Sequence, residues 1–169
     1  MKEMYLMCGL SGSGKTTLAK ELAEQKNLIY LSIDDMYAKV NGDARKHINK
    51  FDVWIEFWRL IHSHEIANHS IIIDTNCLTY VDRVQFLEWF PSFDRYYLIY
   101  VYAPFKICCE RNRLRERVVP FDQMIEQKNK EQFPRVDEDS RWNEMFYYNN
   151  TEKPIMQNSS KIYEEWLKI

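Results

Sequence analysis

The stretch that decides the fold is "GLSGSGKTT", residues 9–17, which follows the short apolar run "MYLMC". It matches the pattern G-x-x-x-x-G-K-[ST], with Gly9, Gly14, Lys15 and Thr16 at the defining positions. In this pattern the glycines let the backbone curl, so that successive N–H groups and the start of the following helix face a polyphosphate. Three of the four glycines of the chain lie here. The stretch therefore predicts a strand, a phosphate-binding loop and a helix, in that order.

The loop, called the phosphate loop (residues 9–17) below, is predicted to bind a nucleoside triphosphate with its magnesium ion. Lys15 is expected to reach the β- and γ-phosphates and to act in catalysis, and the Thr16 hydroxyl is expected to be a magnesium ligand. The predicted ligands are ATP and Mg²⁺. The residues expected to bind the nucleotide are Gly9, Leu10, Ser11, Gly12, Ser13, Gly14, Lys15, Thr16 and Thr17.

The rest of the chain alternates short β-type runs with segments of helical periodicity. The runs "IYLSI", "IIID", "RYYLIYVY" and "MFYYN" join "MYLMC" as candidate strands. This alternation predicts an α/β protein with a doubly wound, five-stranded and mainly parallel sheet, in one domain over residues 1–169. Helices are predicted over 15–25, 44–68, 80–89, 105–117, 121–132 and 159–167.

The second predicted helix, 44–68, carries an apolar stripe that we expect to pack on the sheet. Asp43 is placed to cap its start. The four histidines fall in or just after this helix, but none are four residues apart, so a metal site there is not expected. The stripe consists of Phe51, Trp54, Ile55, Trp58 and Ile61.

Composition sets limits on the partners and the compartment. Lys and Arg total 23 against 25 Asp and Glu, so the chain has no broad basic field that would draw it to nucleic acid or lipid. The four cysteines fit neither a zinc site nor a disulfide framework, and the first apolar stretch is too short for a membrane span or a signal peptide. We therefore expect a cytoplasmic protein that has no membrane partner.

Polar residues follow the second and third predicted strands. Asp34 and Asp35 come at the end of the second strand, and Asp74 ends the third. In a doubly wound sheet these ends lie beside the phosphate loop, where substrates bind, and we expect one acid of the adjacent pair to face the cleft. Asp74 could hold magnesium or orient the acceptor, and Asn76 and Arg83 could line the same cleft. The alternative is that the acids cap turns and that Asn76 and Arg83 are surface residues.

The segment "ERNRLRERVVP", residues 110–120, carries four arginines. By itself such a run is typical of a solvated helix face. Helical spacing puts Arg111 and Arg115 on one face and Arg113 and Arg117 on another. Combined with the phosphate loop, this spacing predicts that the first pair faces phosphates and the second pair faces solvent.

Four segments, "GLSGSGKTT", "SIDDMY", "IIIDTNCLTYVDR" and "ERNRLRERVVP", stand in the order and spacing of a known family. Over about residues 4 to 135 the chain resembles the small P-loop kinases typified by the phage 5′-polynucleotide kinase domain, and more loosely the phosphoseryl-tRNA kinases. The resemblance implies a helical lid over approximately residues 111–135. Tyr37 stands where those polynucleotide kinases have an arginine for the phosphate of the acceptor.

The resemblance also implies roles for individual residues. Asp34 would be the general base that deprotonates the acceptor hydroxyl, and Asp74 would organise the acceptor side. Arg111 would lie along the nucleotide, and Arg115 would bridge the donor phosphate and the acceptor as a catalytic residue. With Asp35, Asn76 and Arg83, Asp74 completes the predicted substrate-binding set.

These expectations combine into a phosphotransferase that moves the γ-phosphate of ATP to a hydroxyl, with a 5′-hydroxyl of a nucleic acid end as the leading acceptor. A kinase for a small molecule, such as a nucleoside, sugar or antibiotic, stays open and is favoured by the near-neutral charge. A nucleotide-dependent accessory switch in RNA modification is the third alternative.

Overall fold

The computed structural model describes residues 1–43 and 48–151 and the backbone of 155–158. These residues form one sheet with strand order β2-β3-β1-β4-β5-β6. The first five strands run parallel, as predicted, and β6 adds an antiparallel edge beside β5. The strands are β1 (Glu3–Cys8), β2 (Ile29–Ser32), β3 (Ile71–Asp74), β4 (Arg95–Tyr102), β5 (Glu144–Asn149) and β6 (Ile155–Asn158).

Helices cover both faces of the sheet, which confirms the doubly wound α/β class. Along β1, Met4 and Leu6 belong to the apolar cluster on one face, and Tyr5 and Met7 belong to the cluster on the other. Alternate side chains of a strand point to opposite faces, so both faces of this central strand are buried. The helices are α1 (Lys15–Lys26), α2 (Ile33–Asn41), α3 (Lys50–Ile66), α4 (Tyr80–Trp89), α5 (Phe105–Arg113) and α6 (Phe121–Lys130).

Helix α2 was not predicted, because Ile33 continues the apolar run of the preceding strand. In the structure Ser32 ends β2 and caps α2, with its hydroxyl accepting a hydrogen bond from the Asp35 N–H at 3.4 Å. A serine followed by two acids in the first turn is a recognised helix start. The signal was therefore present but masked by the strand pattern.

Helix α3 begins at Lys50 with Asn49 as its cap, so the prediction that Asp43 caps this helix is wrong. Residues 44–47, where the helix was predicted to start, lie outside the described residues. The predicted stripe matches the buried face only in part. Ile61 is buried and Trp54 and Trp58 pack against the same cluster, whereas Phe51 is 75% exposed and Val53 and Phe57 supply the rest of the buried face.

Helix α5 ends at Arg113, four residues before the predicted end. Its last turn tightens, with Leu114 N–H donating to the Arg111 carbonyl at 3.1 Å and Arg115 N–H to the Asn112 carbonyl at 3.2 Å. Helical spacing therefore does not apply beyond Arg113. The predicted helix over 159–167 lies outside the described residues.

No helix in the described part of the chain has the length and apolar character needed to cross a membrane.

Candidate phosphotransfer site

A cavity of about 320 Å³ opens at the carboxyl edge of the sheet, beside the phosphate loop. Its volume lies at the lower end of the range common for small-molecule sites. Four parts of the chain contribute to its wall: the phosphate loop, the start of α2, the end of β3 and the lid. The lining residues are Ser11, Gly12, Gly14, Lys15, Thr16, Thr17, Ile33, Asp34, Asp74, Thr75, Asn76, Arg111, Arg115, Arg117, Val119, Gln123 and Gln127.

The phosphate loop wraps around the Lys15 side chain. Lys15 is buried, and its Nζ donates to the Leu10 carbonyl at 2.8 Å. Burial lowers the pKa of Lys15, and the nearby Asp74 carboxylate opposes that shift. Three predicted nucleotide-binding residues, Gly9, Leu10 and Ser13, do not line the cavity. Leu10 and Ser13 are buried, and Gly9 donates its N–H to the Asn76 carbonyl at 2.9 Å.

Other parts of the chain approach Gly12 and Gly14 of the loop closely. Both have positive φ, and a Cβ on Gly12 would lie 2.3 Å from the Cys108 carbonyl oxygen of α5. A Cβ on Gly14 would lie 2.1 Å from Nδ2 of Asn150, which donates to the Ser13 carbonyl at 2.8 Å. Asn150 was not predicted to contact the loop. Its signal is its position directly after β5, at the same carboxyl edge.

Thr16 and Asp74 meet at the base of the cavity. Thr16 Oγ1 donates to Asp74 Oδ2 at 2.7 Å, and the Tyr30 hydroxyl donates to the same oxygen at 2.9 Å. Burial and the Asp74 charge raise the pKa of Tyr30, so this hydroxyl stays a donor. Hydroxyl and carboxylate oxygens are the ligands that Mg²⁺ prefers, and the pair therefore fits the predicted magnesium site.

Asp34 lies on the opposite wall, in the first turn of α2. Its Oδ1 is 2.5 Å from Nη1 of Arg117, which reaches down from the lid. The neighbouring Asp35 is exposed and does not line the cavity. Of the adjacent acids, Asp34 is thus the one in position to meet a substrate hydroxyl.

Three of the four arginines line the cavity: Arg111, Arg115 and Arg117. Arg113 is exposed. The prediction that Arg117 faces solvent is wrong, because α5 ends at Arg113 and the chain turns back toward the cleft. Arg111 also donates from Nη2 to the Thr151 carbonyl at 3.2 Å, which ties the lid to the segment after β5.

Helix α6 contributes two amides to the cavity that were not predicted, Gln123 and Gln127. Gln127 Oε1 accepts the Ser11 N–H of the phosphate loop at 3.0 Å. The helix also packs through Met124 into a small apolar cluster that includes Leu10. Helices α5 and α6 therefore sit against the phosphate loop, where the lid was expected.

Arg83 does not line the cavity, contrary to the expectation that it would line the same cleft as Asn76. Its side chain is 1% exposed and forms a two-point ion pair with Glu138, in which both N···O distances are 2.7 Å. Nη1 also donates to the Gln132 carbonyl at 2.9 Å. Burial alone would lower the pKa of Arg83, but the Glu138 carboxylate raises it above its ordinary value. Arg83 thus fastens α4 to the segment that follows α6.

Tyr37 is buried in the apolar cluster under α2 and α3 and does not line the cavity. Burial and the nearby Asp34 raise its pKa, while the Arg117 charge opposes the shift. Tyr37 therefore does not place a positive charge in the cleft, as an arginine at this position could.

The family model described as "AAA domain" matches residues 4–134. The chain belongs to this AAA domain family. No curated protein sequence matches the chain.

Solved structures share the fold of this AAA domain at low sequence identity. A gluconokinase from Sinorhizobium meliloti 1021 is 16% identical with a TM-score of 0.61, and the match covers 90% of this chain and 84% of that one. A shikimate kinase from Bacteroides thetaiotaomicron is 16% identical with a TM-score of 0.57, over 88% of this chain and 86% of that one. A chain of the Pnkp1/Rnl/Hen1 RNA repair complex is 12% identical with a TM-score of 0.68, over 76% of this chain but 43% of that one. The AAA domain therefore has the P-loop kinase fold.

Proposed function

We propose that this protein transfers the γ-phosphate of ATP to a hydroxyl group of an acceptor. One observation carries the proposal: the carboxylate of Asp34, the ammonium of Lys15 and the guanidinium of Arg115 line the same cavity. Hydroxyl phosphorylation needs an anchored triphosphate, a base for the hydroxyl proton and cations near the transferred group. The cavity brings together a candidate for each of these roles.

In the proposed mechanism the phosphate loop holds the triphosphate, and Lys15 contacts its β- and γ-phosphates. Thr16 and Asp74 would hold a magnesium ion, which offsets the charge of the phosphates. Asp34 takes the proton of the acceptor hydroxyl as its oxygen forms a bond to the γ-phosphorus. The bond between that phosphorus and the β,γ-bridging oxygen breaks, and ADP leaves with the bonding electrons. Arg115 stabilises the charge of the transferred group.

Asp34 can accept that proton only if the acceptor hydroxyl comes within hydrogen-bond reach of it. Arg117 now stands at that position, 2.5 Å from Oδ1. The acceptor hydroxyl therefore has to share Oδ1 with Arg117 or approach Oδ2, unless Arg117 moves to the phosphates of ATP in the same cavity.

Two classes of acceptor are candidates for this reaction. A 5′-hydroxyl at a nucleic acid end is supported by the resemblance of the four motifs to the polynucleotide kinases. A small hydroxyl compound is supported by the net charge of −2 and by Tyr37, which stands where the polynucleotide kinases have an arginine for the acceptor phosphate and is buried outside the cavity lining.

The decisive experiment is a transfer assay with γ-labelled ATP against 5′-hydroxyl DNA and RNA oligonucleotides, nucleosides and sugars. We expect label in one acceptor class. If ATP binds but no acceptor of any class is labelled, the accessory switch becomes the better explanation. Label that appears with oligonucleotides alone would favour the nucleic acid end.

The role of Asp34 is tested by Asp34→Asn, which keeps the shape and removes the base. Transfer should fall by about 10²- to 10⁴-fold, the usual contribution of a general base, while ATP affinity stays within about two-fold. Asp35→Asn is the matched control, because Asp35 is exposed and outside the cavity wall. Full transfer by Asp34→Asn would refute the assignment.

A further inference from the structure

We infer that Asn112 is a positioning residue that holds the arginines of the lid in the cavity. Its side chain is 4% exposed and bonds both backbone groups of one residue across a loop. Nδ2 donates to the Val119 carbonyl at 2.7 Å, and Oδ1 accepts the Val119 N–H at 3.0 Å. We call this pair of hydrogen bonds the clasp, and residues 113–118, which it closes, the arginine loop.

Besides the clasp, two turn hydrogen bonds at its start and the Arg117–Asp34 ion pair hold the arginine loop, but no apolar core or regular element does. Helix α5 ends at Arg113, and residues 114–118 form no helix or strand. Leu114 is 89% exposed and Val118 is 51% exposed, so neither apolar side chain is anchored in a core. A short loop keeps its conformation only if its ends are held, and the clasp joins these ends directly.

The loop carries the charges that matter for the proposed reaction. Arg115 and Arg117 line the cavity, whereas Arg113 and Glu116 are exposed. A guanidinium is planar and donates along fixed directions, so its contribution depends on where the backbone places it. The clasp sets that placement, because it fixes the residues on both sides of the loop.

The clasp also connects the loop to the body of the protein. Val119 lines the cavity and packs against the cluster that contains Leu10 of the phosphate loop. Asn112 thus ties the arginine loop to an element that already touches the phosphate loop. A side-chain amide supplies both the donor and the acceptor that these two hydrogen bonds need.

This inference rests on the proposed function for its kinetic readout, and a double-mutant cycle tests it. The variants are Asn112→Ala, Arg115→Ala and the double variant, with kcat/KM for transfer and the Kd for ATP measured on each. In the wild-type background Asn112→Ala should reduce kcat/KM by about 10- to 100-fold, as expected for two lost hydrogen bonds. In the Arg115→Ala background the same change should cost a clearly smaller factor, because only Arg117 is then left for the clasp to place.

Two further variants control for general damage. Asn143 accepts the Tyr96 N–H at 2.8 Å with its own side-chain amide, at the amino end of β4 and away from the cavity. Asn143→Ala should therefore leave kcat/KM unchanged. Asn112→Ser is neutral and its hydroxyl can keep at most one of the two hydrogen bonds, so it should fall between wild type and Asn112→Ala, and it replaces that variant if alanine prevents folding.

The inference is overturned if Asn112→Ala costs the same factor with and without Arg115, or if it lowers the Tm and leaves kcat/KM intact. A failure of the proposed function looks different, because the wild type would then label no acceptor. The cycle can still be measured in ATP affinity alone. Non-additive Kd changes would support the clasp without any transfer, and additive changes would exclude it.

Discussion

Replacing Arg83 by methionine separates the structural role seen here from the substrate-binding role that the sequence predicted. The side chains of Arg83 and Glu138 are 1% and 4% exposed, so methionine would leave the Glu138 carboxylate buried without its cation. Removing one partner of a buried ion pair costs about 3–5 kcal/mol. For a chain of this length each kcal/mol lowers the Tm by about 2–4 °C, so the expected loss is roughly 6–20 °C.

Thermal unfolding followed by circular dichroism measures this loss. The double variant Arg83→Met/Glu138→Leu should recover much of the Tm, because an apolar pair of similar volume leaves no uncompensated charge. At a temperature well below its Tm, Arg83→Met should bind ATP with wild-type affinity, since Arg83 does not line the cavity. A variant that keeps the wild-type Tm but loses affinity for the acceptor would refute this reasoning and restore the sequence prediction.

The other predictions concern the donor side and the arginine loop. ATP with Mg²⁺ at 100 times its Kd should stabilise the protein by about 2.7 kcal/mol, seen as a rise in Tm of about 5–11 °C, and Lys15→Ala should remove most of that rise. Arg117→Met should slow transfer by about 10-fold or more, as expected for a lost charged partner, whereas Arg113→Met should leave the rate unchanged because Arg113 is exposed. Equal rates for these two variants would show that the arginine loop is placed differently.

Local patterns in the sequence predicted the frame of the fold well. The strands "IIID" and "RYYLIYVY" and helix α4 were placed at their observed bounds, because each is an apolar or periodic run with clear ends. The failures fall where two patterns overlap. By hydropathy Ile33 would extend the strand, but Ser32 caps a helix that begins at Ile33, and the helix forms.

The candidate site was predicted in part for the same reason. Asp34, Asp74 and Asn76 follow strands whose carboxyl ends meet at one edge, so topology alone brings them to the phosphate loop. Arg83 could not be assigned in this way. Its partner Glu138 is 55 residues away and follows no motif, so only the folded chain shows that the charge is already neutralised.

The arginine segment shows most clearly that helical spacing in the sequence does not predict where side chains lie once the helix has ended. Helical spacing separates Arg111 and Arg115 from Arg117, yet all three line the cavity because the helix stops at Arg113 and Asn112 closes the loop behind it. Arg117 thereby reaches the carboxylate proposed as the base, while Arg115, from the same short segment, lines the cavity and its charge acts on Lys15 of the phosphate loop. One loop then touches both the donor and the acceptor side of the cavity. A change in its position would alter phosphate binding and access to Asp34 together, which independent surface arginines could not do.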